Sequence, residues 1–166
     1  MTIDNLNILI RDDVQSADER QIERIVSATQ FFTDAEVEIA VELIRERLEK
    51  GPASGYEFVV AEENEAFVGY ACFGEIPCTQ GSYDLYWIVV DPGYQGAGIG
   101  RLLMREVEQR VQRLDGRAIY IDTSGRMQYA STRRFYERCG YQPIAHLPDF
   151  YAPGDPKQIY WRSVTA

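Results

Sequence analysis

The segment Tyr86–Val111 reads YWIVVDPGYQGAGIGRLLMREVEQRV. An apolar run ends at Asp91-Pro92, then Gly93, Gly96, Gly98 and Gly100 follow in quick succession, and a helical pattern begins at once. Glycine permits positive φ and lets a ligand come close to the main chain. At the junction of a strand and a helix, the unbonded N–H groups of the first helical turn and the positive end of the dipole favour a phosphate. Such a loop is read as a pyrophosphate cradle, or else as a tight strand-to-helix turn with no ligand. In both readings a buried strand is followed directly by an amphipathic helix, so the chain must build a sheet with helices packed against it.

Two familiar phosphate motifs fail here. No Gly-Lys-Ser/Thr follows, which removes the P-loop, and Gly96-Ala97-Gly98 reaches its next glycine at Gly100, one residue short of the dinucleotide fingerprint. What remains is Gln95-x-x-Gly98-x-Gly100, preceded by IVVDP and followed by Arg101-Leu102-Leu103.

The rest of the chain supplies the elements that such a loop needs. LNILIRDD predicts a strand over Leu6–Arg11, followed by a helix over Ala17–Thr29. Thr33-Asp34-Ala35-Glu36 has the form of a capping box, with Val37, Ala40, Val41, Ile44 and Leu48 at helical spacing and Gly51-Pro52 as the stop. YEFVVAEEN and AFVGYACFGEIP predict two strands joined by a polar turn at Glu62–Glu65. DLYWIVV is apolar on both faces, as a strand covered by helices on both sides would be. A helix over Ile99–Leu114 carries the stripe Leu103, Val107, Val111 and Leu114. RAIYIDTS predicts another buried strand, YASTRRFYERCG a short helix closed by Gly140, and YQPIAHL and QIYWRSV two closing strands. The expected class is α/β, an α+β mixed sheet in the order β-α-α-β-β-β-α-β-α-β-β, with residues 1–166 as one domain.

Charge limits the partners. Lys and Arg total 17 against 26 Asp and Glu, a net charge of −9, which repels nucleic acid and anionic lipid and favours cationic or amine-bearing partners. Cys72, Cys78 and Cys139 form no disulfide framework and no metal-ligand spacing; they read as buried small hydrophobes in a reducing cytoplasm. The N-terminus shows no targeting pattern and no apolar run is long enough to span a bilayer, so a soluble, unprocessed chain is expected, with no metal and no membrane or nucleic-acid partner. His146, the one histidine, reads as structural.

The glycine segment resembles the acetyl-coenzyme A loop of the GNAT family of N-acetyltransferases, whose pattern is Arg/Gln-x-x-Gly-x-Gly/Ala at the end of the fourth strand. RRFYERCGY, Arg133–Tyr141, resembles the family's second signature, Phe/Leu-Tyr-Glu-x-x-Gly-Phe/Tyr. The order of elements is similar to the GNAT fold as well, so the resemblance covers nearly the whole chain, with Ile3–Asn64 the least diagnostic part.

The resemblance implies acetyl-CoA as cosubstrate and an N-acetyltransferase acting by direct attack in a ternary complex. It places the pyrophosphate on the main-chain N–H groups of Gln95, Gly96, Ala97, Gly98, Ile99, Gly100 and Arg101, and the pantetheine arm along Ile88, Val89 and Val90. The Ile88 N–H falls where relatives polarise the thioester carbonyl, and Tyr136 where many keep the general acid for the departing thiolate. Asp84 falls where one branch keeps its general base, though it reads equally as a solvated turn residue, with Glu75 and Tyr86 in reserve. Tyr129 stands where the family often has Asn, leaving Thr123, Ser124 and Thr132 as substitute cofactor contacts.

The expected acceptor is a small-molecule amine, cationic or amino-acid-like. Phe31, Phe32, Phe150 and Tyr151 would wall its site, with Asp34, Asp84 and Asp149 attracting the cation, unless these aromatics are simply core. The alternatives are a non-catalytic acyl-CoA sensor and a protein N-terminal or lysine acetyltransferase. A homodimer is also expected, because relatives often dimerise.

Overall fold

The computed structural model describes residue 3 and residues 6–165. Seven strands lie in the order β1-β2-β3-β4-β5-β7-β6: β1 Ile8–Arg11, β2 Glu57–Glu63, β3 Ala66–Glu75, β4 Ser82–Val90, β5 Ala118–Ser124, β6 Gln142–Ala152 and β7 Asp155–Ser163. The helices are α1 Asp18–Ala28, α2 Asp34–Lys50, α3 Ile99–Arg113 and α4 Ala130–Arg138. The mixed sheet with helices and the order of elements are those expected from the sequence. The chain forms two compact units, Met1–Gly74 with Trp87–Val107, and Glu75–Tyr86 with Glu108–Ala166.

In the first unit, β1, β2 and β3 are antiparallel neighbours. The β2–β3 turn is tighter than the sequence suggests, with Glu62 and Glu63 inside β2 and both Asn64 and Glu65 at positive φ. Two such residues make a primed turn, whose twist matches that of the strands it joins. Helix α2 begins with the expected capping box, since Glu36 N donates to Thr33 Oγ1 while Thr33 N donates to Glu36 Oε2, and it ends where Gly51 turns to φ +58. Ile22, Ile25 and Val26 of α1 and Ala40, Val41 and Ile44 of α2 pack on Phe58, Val60, Tyr70 and Val89. Each large side chain removed from water contributes on the order of 2 kcal/mol to the core. Arg11, paired with both Asp18 and Glu62, ties β1 to α1 and β2.

In the second unit, β5 pairs parallel with the start of β4 and antiparallel with β7, and β7 pairs with β6. Facing residues of paired strands share a side of the sheet. Tyr160 and Arg162 point to the side that carries α4 and the end of α3. There the Tyr160 hydroxyl donates to Glu137, and Arg162 donates to Glu108 and to the Cys139 carbonyl.

Four expectations need correction. Strand β4 begins at Ser82, two residues before the expected DLYWIVV; helices cover it on both sides as expected, Val89 packing with α1 and α2 and Tyr83 lying beside Val111 of α3, while Asp84, Tyr86, Ile88 and Val90 are half-buried or exposed. Leu114 lies past the end of α3 and is 43% exposed, so the stripe stops at Val111. Cys78 is an exposed thiol, while Cys72 and Cys139 are buried as expected. The closing strands are longer than YQPIAHL and QIYWRSV: β6 runs on to Ala152 and returns through a tight hairpin into β7, which starts at Asp155. The register steps from Leu147↔Lys157 to Ala152↔Asp155, so Pro148–Tyr151 bulges out of the ladder. Among the described residues no helix is long and apolar enough to cross a membrane.

Candidate active site

The glycine loop belongs to the first unit and is built from Asp91 onward. Asp91 N donates to Val68 O, which anchors the loop to β3. The Asp91 carboxylate accepts from Gly93 N at 2.9 Å and from Arg24 Nη1 at 2.6 Å, and the same guanidinium donates to Phe67 O. Asp-Pro as a turn opener is legible in the sequence; its partner Arg24 is not, because nothing local marks one arginine of α1 out from another.

Pro92–Tyr94 forms a single 3-10 turn, after which Gly96 and Gly98 take φ +80 and +99. A Cβ at Gly96 would meet no atom within 4 Å, and one at Gly98 would touch Ile3 at 3.6 Å. The first helical bond of α3 runs from Leu102 N to Gly98 O, so the N–H groups of Ile99, Gly100 and Arg101 precede the helical ladder. Gln95 N and Ala97 N are already engaged with Pro92 O and Tyr94 O, at a long 3.4 Å each, and the Gln95 side chain donates to Val90 O. The donors aligned for an anion are therefore those of the first turn of α3, with the exposed Arg101 beside them. Ala97 and Ile99 are buried and brace the loop. The main chain of Ile88, Val89 and Val90 leads into it, beyond the parallel ladder to β5, which comprises only Ser82–Asp84.

In the same unit Phe32 packs on Trp87, at 4.9 Å between centroids, and on Phe31, at 5.3 Å. Phe32 is partly buried against the core, so packing accounts for it. Asp34 lies in the first turn of α2, where a carboxylate complements the dipole.

The remaining candidates lie in the second unit. Tyr136 on α4 is 6% exposed and wedged between the rings of Phe135 and Tyr160, 5.6 and 5.8 Å away. Burial above all, with Cys139, Tyr129 and Tyr160 nearby, pushes its phenol upward, so it stays protonated at neutral pH. Helix α4 is held at both ends: Arg133 donates to Ser124 O and Arg126 O, and Arg162 to Cys139 O.

Asp84 is half-buried near the start of β4, in register with Tyr120. Burial first, then repulsion from Asp122, raises its carboxyl, and Lys157 offsets part of this. Glu75, the reserve base, is exposed at the end of β3, and Tyr86 is 39% exposed on the Asp84 side.

Of the substitute cofactor contacts, Thr123 and Ser124 are both 6% exposed. The Ser124 hydroxyl is already committed: it donates to Asp155 Oδ1 at 2.5 Å and accepts from Arg126 N. Asp155, 3% exposed, also pairs with Arg126, and sequence reading missed it because GDP looks like any exposed turn. Thr132 is half-buried on α4. Asp149 accepts from Gly154 N and so closes the hairpin. Phe150 and Tyr151 form a T-shaped pair about half exposed, with Lys157 Nζ 4.4 Å above the Phe150 ring. His146 is exposed and bonded to Gln158. No group of His, Cys, Asp and Glu among the described residues is arranged to hold a metal ion.

A family model described as an acetyltransferase (GNAT) domain matches residues 54–143. The L-methionine sulfoximine/L-methionine sulfone acetyltransferase of Salmonella typhimurium is 30% identical over 96 residues, covering 57% of this chain and 55% of the relative. The N-alpha-acetyltransferase RimI of Mycobacterium tuberculosis is 30% identical over 95 residues, covering 57% of each. The chain thus spans about half the length of the curated relatives it matches. A crystal structure of a GNAT-family protein from Desulfovibrio desulfuricans superposes with a TM-score of 0.94 at 46% identity, covering 95% of this chain and 99% of that one.

Proposed function

This chain belongs to the GNAT acetyltransferase family, a family of acyltransferases, and on that premise we propose that it transfers an acetyl group from acetyl-CoA to a primary amine. The observation that carries the proposal is the glycine loop: two glycines at positive φ lead into a helix whose first N–H groups stand ahead of its own hydrogen bonds. Those donors suit the pyrophosphate, and the main chain of Ile88–Val90 suits an extended pantetheine arm, which pairs with it as an added strand does.

In the proposed reaction the neutral amine attacks the thioester carbon, forming C–N as C–S breaks. Ile88 N–H donates to the carbonyl oxygen as it gains charge. Asp84 takes the ammonium proton, and its raised proton affinity runs in the direction that this task requires. Tyr136 keeps its proton until the sulfur gains charge, then donates to it. Holding both reactants together supplies much of the rate. Thr123 and Thr132 remain candidate cofactor contacts, whereas Ser124 is assigned to the Asp155 network.

The names of the two curated relatives specify an amino-acid-like amine and an α-amine, which supports a primary amine as acceptor. We extend the proposal to a reducing cytoplasm, supported by three cysteines that form no disulfide, and to a homodimer, supported by the long exposed edge strand β6. Sedimentation of a monomer at assay concentration would remove the dimer. The central test is calorimetric titration of acetyl-CoA and CoA, run beside thiol release over a panel of amines and an α-amino peptide. Binding with acceptor-dependent release is expected. Binding without release leaves an acyl-CoA sensor, and no binding overturns the reading of the loop.

A further inference from the structure

The sheet of the second unit has one side covered by helices and one side open. Register puts Asp84, Tyr120 and Trp161 on the open side, and likewise Asp122 with Ile159 and Ser124 with Lys157. Tyr120, Ile159 and Trp161 are half-buried, giving an apolar floor between the carboxylates of Asp84 and Asp122. The bulged hairpin reaches this side: the Lys157 ammonium sits over the Phe150 ring, and the Tyr151 phenol is pushed up to about 12, by burial first and then by Asp122 and Asp155.

The charges on this side nearly cancel. Asp155 is neutralised by Arg126, and Asp122 forms an ion pair with Lys157, its diagonal neighbour across the β5–β7 ladder. Asp84 has neither an ion pair nor a side-chain hydrogen bond among the described residues, and it stands next to the apolar floor. We propose that Lys157 is a specificity-determining residue: by occupying Asp122 it leaves Asp84 as the single carboxylate offered to the acceptor. The acceptor is then a primary amine with one cationic centre and an apolar body, not a polyamine or aminoglycoside. This rests on the acetyl-transfer reading and adds to it the class of amine.

The physical basis is charge counting. A second ammonium placed on this side would find Asp122 already occupied and would meet the Lys157 ammonium, a like charge that repels it. Lys157→Met removes that charge, keeps most of the apolar stem and releases Asp122 for a second cation.

The test compares kcat/KM for 2-phenylethylamine and methionine sulfone, with one cationic centre each, against spermidine and kanamycin. Wild type, Lys157→Met and Lys157→Arg are each checked by thermal melting and by acetyl-CoA titration. Wild type should favour the single-centre amines by about tenfold or more, Lys157→Met should move the ratio about tenfold towards spermidine, and Lys157→Arg should restore it. A purely structural role for Lys157 would lower all four rates together, and that result overturns the proposal. A wild-type preference for spermidine or kanamycin also overturns it while leaving acetyl transfer intact. Acetyl-CoA binding with no turnover of any amine overturns both this and the transfer reaction, and spares only the cofactor site.

Discussion

Tyr136 and Asp84 are both shifted towards holding a proton, yet a change at each leaves a different trace. Tyr136→Phe removes only the hydroxyl and keeps the ring between Phe135 and Tyr160. Turnover is expected to fall by about 100-fold, the usual range for a positioned acid, while acetyl-CoA affinity and melting temperature stay near wild type. Steady-state kinetics with calorimetry check this, and unchanged turnover removes Tyr136 as the acid. For Asp84 the sign follows from linkage. A carboxyl raised in the folded state binds its proton more tightly there than when unfolded, so its favourable contribution is present at low pH and is lost as pH rises through the folded value. At neutral pH the charged form is therefore mildly unfavourable, and Asp84→Asn should melt slightly higher there, with the difference shrinking on acidification. The same variant should lose the acid limb of its kcat/KM profile. A normal limb discards Asp84 as the base even if the melting shift is seen.

At the level of elements, two glycines separate ligand binding from folding. Gly98→Ala forces a side chain into φ +99 and brings it against Ile3, at a cost of roughly 1–2 kcal/mol, and it stiffens the loop where the phosphates would sit. Calorimetry should show acetyl-CoA affinity down by about tenfold or more, and a protein that melts lower but binds normally would contradict the cradle. Gly116, after α3, has a different task. Its missing Cβ would fall 2.3 Å from Val111 Cγ1 and 2.7 Å from Tyr83 Cε2, so Gly116→Ala should destabilise by about 3 kcal/mol in denaturant titration. The sequence marks these places unequally. Periodicity and the Thr33–Glu36 box located α1, α2 and α3 to within a residue or two, because those signals are local. The partial exposure of Asp84, Tyr86, Ile88 and Val90 in β4 was not readable, because an apolar string such as YWIVV looks alike whether or not each of its side chains is fully covered. Nor was the hairpin of β6 and β7, where Pro148, Pro153, Pro156 and Asp149 mimic a loop until the ladder with β7 is seen. The candidate site was readable where glycines mark it, at the turn from β4 into α3. Ion pairs between distant positions, Arg24 with Asp91 and Lys157 with Asp122, leave no local trace.

Across the molecule the net charge of −9 gives a field that reaches beyond any single contact. In the proposed reaction it would draw a cationic amine inward and oppose the phosphates of acetyl-CoA, which the first turn of α3 and Arg101 would attract locally. Salt weakens both effects, since the Debye length falls from about 30 Å at 0.01 M to about 10 Å at 0.1 M. For the amine the global and local fields agree in sign, because Asp84 is also negative, so screening has one direction. Its KM should rise several-fold from low to physiological ionic strength, with kcat unchanged. For acetyl-CoA the global repulsion and the local attraction are screened together and partly cancel, so its KM should respond much less. Initial rates in sodium chloride, with each substrate varied in turn, check the pair of slopes. An amine KM that stays flat would show that the acceptor approaches as a neutral molecule or by apolar contact alone. The acidic balance of the chain would then have no part in selecting it.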